Sequence, residues 1–117
     1  MIGGADTIRS IVNRFYDLMD TDPAYARLRA LHAPDLGPMR ASLADFLMAW
    51  SGGPRHWFEQ RPGACVMSAH RSIAVDIATR DQWVEAMRRA IDEHLEPGLG
   101  GSMIEALGRM ATAMVRD

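Results

Sequence analysis

The apolar residues Ile8, Ile11, Val12, Phe15, Leu18 and Met19 recur three and four positions apart. On a helix of about 3.6 residues per turn they form one stripe. That spacing predicts an amphipathic helix from about Asp6 to Asp20, with Asp6 as N-cap behind Gly3 and Gly4. Asp20-Thr21-Asp22-Pro23 supplies a stop and a restart, and a short helix over Ala24–Leu31 runs into His32-Ala33-Pro34. Leu36, Met39, Leu43, Phe46, Leu47 and Trp50 mark the next amphipathic helix, which Ser51-Gly52-Gly53-Pro54 ends.

The pattern weakens from Pro54 to Ala78, where Trp57 and Phe58 suggest a short helix before Arg61-Pro62-Gly63. Ile73 to Ile77 alternates like a strand, but a lone strand has no partner, so an extended connector is expected. Two further helices close the chain. Thr79 is the expected cap of the first, with Trp83, Val84, Met87, Ile91 and Leu95 facing inward, and Pro97-Gly98 ends it. Ser102 is the expected cap of the last, with Ile104, Leu107, Met110, Ala111 and Met114 inward. No helix reads as apolar all round. The expectation is one all-α domain over residues 1–117.

With 48% apolar and 24% charged residues, the composition is that of a globular chain able to bury a core. A net charge of −2 offers no grip on polyanions, so no nucleic acid is expected as a partner. No stretch approaches about 18 unbroken apolar residues, and the first residues lack a basic, then apolar, leader pattern. A soluble, cytoplasmic protein with no membrane partner is expected. All 13 basic residues are arginine, which removes lysine-dependent Schiff-base and phosphate-loop chemistry. Cys65, the single cysteine, has no disulfide partner within the chain.

No Gly-rich phosphate loop is present, and His32, His56, His70 and His94 are too widely spaced for a zinc-binding pair. The polar aromatic residues stand out instead. Tyr16 lies at the edge of an apolar helix face, Trp83 begins an inward stripe, and His70 precedes it in weakly patterned sequence. On spacing alone, Tyr16 and Trp83 are core packers whose polar tips reach solvent or a carbonyl. A buried hydroxyl or indole N–H without a partner costs about 1–3 kcal/mol. Two such donors facing one core therefore imply mutual bonding or an accepting guest.

The order Gly3-Gly4, Arg14-Phe15-Tyr16, Asp35-Leu36, Phe46-Leu47 with Gly52-Gly53-Pro54, His70, and Arg80-Asp81-x-Trp83 resembles the group II truncated haemoglobins. The similarity runs from about Ile2 to Val115. It implies a two-over-two helical sandwich enclosing one haem b and its iron. His70 falls where the family places the proximal ligand, an imidazole nitrogen on the iron. Tyr16 and Trp83 match the distal tyrosine and tryptophan, and His32 falls at a pocket corner occupied in relatives by tyrosine, phenylalanine or histidine. Met39 and Leu43 fall on the distal helix over the sixth coordination position. Phe46, Leu47 and Trp50 are expected to line the porphyrin, with Trp57, Ile73 and Val75 as further contacts.

This chain departs from the family around the proximal histidine. The family's preceding arginine and following Ala-Pro-Phe are replaced by Ala69-His70-Arg71-Ser72-Ile73, so Arg61, or Arg55 or Arg71, is expected as propionate partner. Met39 is also larger than the small residue common at its position.

The resemblance implies reversible binding of dioxygen or another diatomic gas, with a reductase as partner. Nitric oxide detoxification and peroxidase-like chemistry stand as enzymatic alternatives. A haem sensor or transfer protein, with His32 as second iron ligand, is a further reading. A cofactor-free helical interaction module, in which Tyr16 and Trp83 merely pack, is the alternative from another class.

Overall fold

A computed structural model describes residues 4–32, 34–50 and 75–115, and among them every regular element is helical. Helix α1 spans Gly4–Thr21, a single 3-10 turn spans Pro23–Tyr25, and α2 spans Ala26–Ala30. Helix α3 is Gly37–Trp50, α4 is Ile77–Asp92 and α5 is Pro97–Ala113. Helix α1 packs on both α3 and α4, and α4 packs on α5. The result is the expected all-α sandwich, with the α1/α3 pair set over the α4/α5 pair.

The α1 stripe behaves as its spacing requires, with Ile8, Ile11, Val12, Phe15, Leu18 and Met19 all at most 3% exposed. The helix starts earlier than expected, at Gly4. Asp6 is therefore a first-turn acid rather than the cap, favoured there by the helix dipole and paired with Arg9 at 3.2 Å. The stop and restart after α1 follow the sequence. The Asp22 N–H donates to the Leu18 carbonyl at 2.9 Å. The Asp22 side chain then caps the 3-10 turn by accepting from the Ala24 N–H at 3.0 Å, with Pro23 just inside.

Helix α3 begins where Asp35 accepts from the Gly37 N–H at 2.9 Å. Leu36, Phe46 and Leu47 are buried as expected, but so are Ala44, Met48 and Ala49. Four consecutive buried residues, Phe46 to Ala49, face every bearing of one turn. This end of α3 is thus enclosed, while Arg40, Ser42 and Asp45 keep the helix as a whole from being apolar all round.

The two closing helices also start earlier than expected. Ile77 belongs to α4, not to an extended connector, and Asp76 rather than Thr79 is its N-cap. Asp76 accepts from the Thr79 N–H at 2.8 Å, while the Thr79 hydroxyl accepts from the Asp76 N–H at 3.0 Å. This reciprocal capping box satisfies two orphan donors at once. Helix α5 starts at Pro97, capped by the Glu96 side chain accepting from the Leu99 N–H at 2.7 Å. Ser102 lies inside it, donating back to the Gly98 carbonyl at 3.2 Å. Proline in the first turn sacrifices an N–H that has no intrahelical partner anyway, so Pro97 opens a helix instead of ending one.

Helices α4 and α5 approach closely at Gly100, where an added methyl would sit 3.0 Å from the Ile91 Cγ2. The buried face of α4 is Thr79, Ala86, Met87, Ala90 and Ile91, with Trp83 half-buried. That of α5 is Gly100, Met103 and Leu107, with Ile104 and Met110 packed at its margin. Small residues set this contact, and a stripe counted in large apolar side chains overlooks them.

Replacing Thr79 by valine keeps its volume and removes one arm of the capping box. The expected loss is about 1 kcal/mol, read as a lower denaturation midpoint with unchanged transition slope.

Candidate functional site

Tyr16 follows Phe15 on α1, about 100° further round the helix, and is 3% exposed. Its ring meets Phe15 edge-on at 4.9 Å and 65°, and His32 at 5.9 Å and 80°. Phe15 in turn meets Trp83 at 5.4 Å and 66°. A row His32, Tyr16, Phe15, Trp83 therefore runs from the turn after α2, across α1, to α4. These separations and tilts suit the ring quadrupoles.

Two of the polar tips in this row, those of Tyr16 and Trp83, bond no described residue. The Tyr16 hydroxyl bonds no described residue. Yet no sealed side-chain polar atom among the described residues lacks a partner, so this oxygen opens onto space. Burial pushes its acidity well below that of an ordinary phenol, and the Arg40 guanidinium partly opposes the effect. The hydroxyl is thus a neutral O–H donor. The indole N–H of half-buried Trp83 likewise bonds no described residue. His32 is half-buried, and its Nδ1 lies 2.9 Å from the Leu28 carbonyl. A carbonyl only accepts, so Nδ1 carries the hydrogen.

Helix α3 supplies the apolar wall. Phe46 and Leu47 are buried, while Met39 and Leu43 are half-buried against the core. Val75 is half-buried just before α4. Large apolar side chains left half covered, together with an unbonded buried phenol, suit a broad apolar group carrying an electron-rich guest, and in this respect the residues fit a haem. His70, Trp57, Arg61 and Ile73 lie outside the described residues, as do Arg55, Arg71 and the Trp50 side chain. Among the described residues, no three His, Cys, Asp or Glu side chains could together hold a metal ion.

Three residues that the sequence reading assigns no role in the site lie against it. Phe15 joins Tyr16 to Trp83. Arg40 sits with its guanidinium carbon 5.8 Å from the centre of the Tyr16 ring. Tyr25, 1% exposed, donates to Glu85 at 3.3 Å and accepts from Arg89 at 3.0 Å. Arg89 also bonds Asp22 at 3.0 Å, and the Leu28 N–H donates to Gln82 at 3.1 Å. These bonds tie the short turn carrying His32 to the helix carrying Trp83. Only the acid–Pro–aromatic run at Asp22 hinted at this, because every partner is more than 50 residues away.

The helical architecture is that of the two-on-two truncated globins. The family model for bacterial-like globins matches residues 1–116, and the chain belongs to that family as a group II truncated haemoglobin. It is similar to the group II two-on-two haemoglobin of the plant pathogen Agrobacterium tumefaciens, with 36% identity and a TM-score of 0.92 over 98% of this chain and 90% of that one. The haemoglobin of the thermophilic phototroph Chloroflexus aurantiacus is 32% identical, with a TM-score of 0.88 over 99% and 94%. The cold-adapted truncated haemoglobin of the Antarctic marine bacterium Pseudoalteromonas haloplanktis TAC125 is 29% identical, with a TM-score of 0.94 over 98% and 94%.

The Tyr16 environment has an alkaline consequence. A folded-state value above the unfolded one, about 10, contributes stability that is full below that pH and is lost as pH rises beyond it. The protein should therefore gain tyrosinate absorbance from Tyr16 only as it unfolds. In the folded state at about one unit above 10, Tyr16→Phe should leave that absorbance unchanged.

At the acid end, backbone N–H groups lower Asp22 and Asp76, and Arg14 lowers Glu93. Their contribution is present above about pH 4 and is lost as pH falls toward their depressed values. Denaturation midpoints should decline below that pH, and Asp76→Asn should flatten the decline.

Proposed function

We propose that this protein reversibly holds dioxygen or another diatomic gas at a haem b whose iron is ligated by His70. When bound, the haem supplies an iron centre to which such a gas attaches. The observation that carries the reading is a pair of donors that bond no described residue, the Tyr16 hydroxyl and the Trp83 indole N–H, joined through Phe15. Family membership supports the cofactor.

In this reading His70 would hold the haem, its neutral imidazole supplying a nitrogen lone pair for the iron. The Tyr16 hydroxyl and the Trp83 N–H would donate hydrogen bonds to an electron-rich gas held there. His32 backs Tyr16 at the pocket corner, its Nδ1 hydrogen already committed to Leu28. Met39, Leu43, Phe46 and Leu47 exclude water, which strengthens each bond the donors make. By the resemblance, Trp50, Trp57, Ile73 and Val75 would complete the porphyrin contacts, and Arg61 would pair with a propionate. A cytoplasmic reductase would keep the iron ferrous.

The test is an absorption spectrum of the purified protein, as isolated and then reduced under carbon monoxide. A Soret band that shifts with carbon monoxide, and that His70→Ala abolishes or distorts, is the expected result. Tyr16→Phe should raise the rate of dioxygen release about tenfold, equivalent to about 1.4 kcal/mol of lost hydrogen bonding. A folded protein that neither contains nor takes up haem overturns the reading and leaves a helical interaction module in its place.

A further inference from the structure

Arg40, near the start of α3, is held on three sides. Its Nη1 donates to the Asn13 carbonyl at 3.1 Å and to the Asn13 Oδ1 at 3.2 Å, and its Nη2 donates to Asp17 at 2.8 Å. Its side chain keeps only 27% of its exposure. Asn13 and Asp17 lie four residues apart on α1 and share one face of that helix. The grip fixes the guanidinium carbon 5.8 Å from the centre of the Tyr16 ring.

We propose that Arg40 is a positioning and tuning residue for Tyr16, its fixed cation drawing electron density from the phenol and strengthening the hydroxyl as a donor to a bound diatomic gas. The inference rests on the gas-binding reading for its purpose, but not for its physics. The negative face of an aromatic ring attracts a cation within about 6 Å, and a cation at that range favours electron density leaving the O–H. Among the causes acting on Tyr16, Arg40's charge opposes the effect of burial. A long side chain free in solvent would average over many rotamers. Asn13 and Asp17 remove that averaging, so the field at the ring is constant.

A purely mechanical role, in which Arg40 only bolts α3 to α1, makes a different forecast. Its loss would lower stability without altering the Tyr16 hydroxyl. The two roles separate in the full chain made with difluorotyrosine, whose phenol is intrinsically more acidic, reduced under carbon monoxide and followed by fluorine NMR. The two tyrosines give two signals, assigned with Tyr16→Phe, and Tyr25 serves as internal control.

Arg40→Met should raise the titration midpoint of the Tyr16 signal by about half a unit and leave Tyr25 unmoved. Arg40→Lys, which keeps the charge and loses the fork, should show a smaller rise. Release of dioxygen from Arg40→Met should be about two- to fivefold faster than from wild type.

A Tyr16 midpoint that stays in place in a folded Arg40→Met variant overturns the proposal. If that variant does not fold, Asp17→Asn loosens the grip while leaving the guanidinium, and an unmoved Tyr16 midpoint there overturns it equally. Absence of a Soret band would sink the gas-binding reading alone, since the fluorine titration reports Arg40's effect on Tyr16 with or without haem.

Discussion

The structure depends on α1 being covered on two sides at once. Its apolar stripe is buried between α3 and α4, and few helices in so short a chain can be sealed this completely. Each buried large aliphatic side chain contributes about 1.5–3 kcal/mol, so α1 anchors whatever touches it. Phe15 belongs to that stripe and Tyr16 stands on its shoulder. Tyr16 is thus mounted on a helix packed on two sides, and its neighbours share the same frame.

Much of this architecture could be read from periodicity. The α1 stripe, the break at Asp22-Pro23 and the helical character of every described element follow from apolar spacing and turn residues alone. The starts of α4 and α5 did not. Thr79 and Ser102 are both good capping types, but Asp76 and Glu96 compete for the same helices and win, because the backbone can enter a helix as soon as an upstream acid satisfies its first donors. Pro97 reads equally well as a breaker and as a first-turn residue. Small buried residues such as Ala86, Ala90 and Gly100 carry no apolar signal, since their role is to let backbones approach.

The site was legible in a different way. Tyr16 and Trp83 were marked by being polar aromatic residues on apolar faces, His32 only by the resemblance, and the structure sets Tyr16 and Trp83 on either side of Phe15 with His32 beyond Tyr16. What the sequence withheld were the long-range partners. Nothing near Tyr25 announces Glu85 or Arg89, and nothing near Tyr16 announces Arg40, because such bonds depend on how helices cross. Family resemblance contributed what neither periodicity nor composition could, namely the expectation of His70 as an iron ligand.

Every ion pair among the described residues uses arginine as its cation. Tyr25 and then Asp22 hold Arg89's proton still more tightly than usual. Guanidinium does not release its proton under any condition the fold survives, and in a chain without lysine no side-chain amine is open to acetylation. The positive half of the electrostatic framework is therefore permanent. Any adjustment of surface charge by solution conditions has to act through groups other than the arginines, chiefly the carboxylates and the four histidines, which makes the protein an arginine scaffold of constant strength decorated by groups that can be switched.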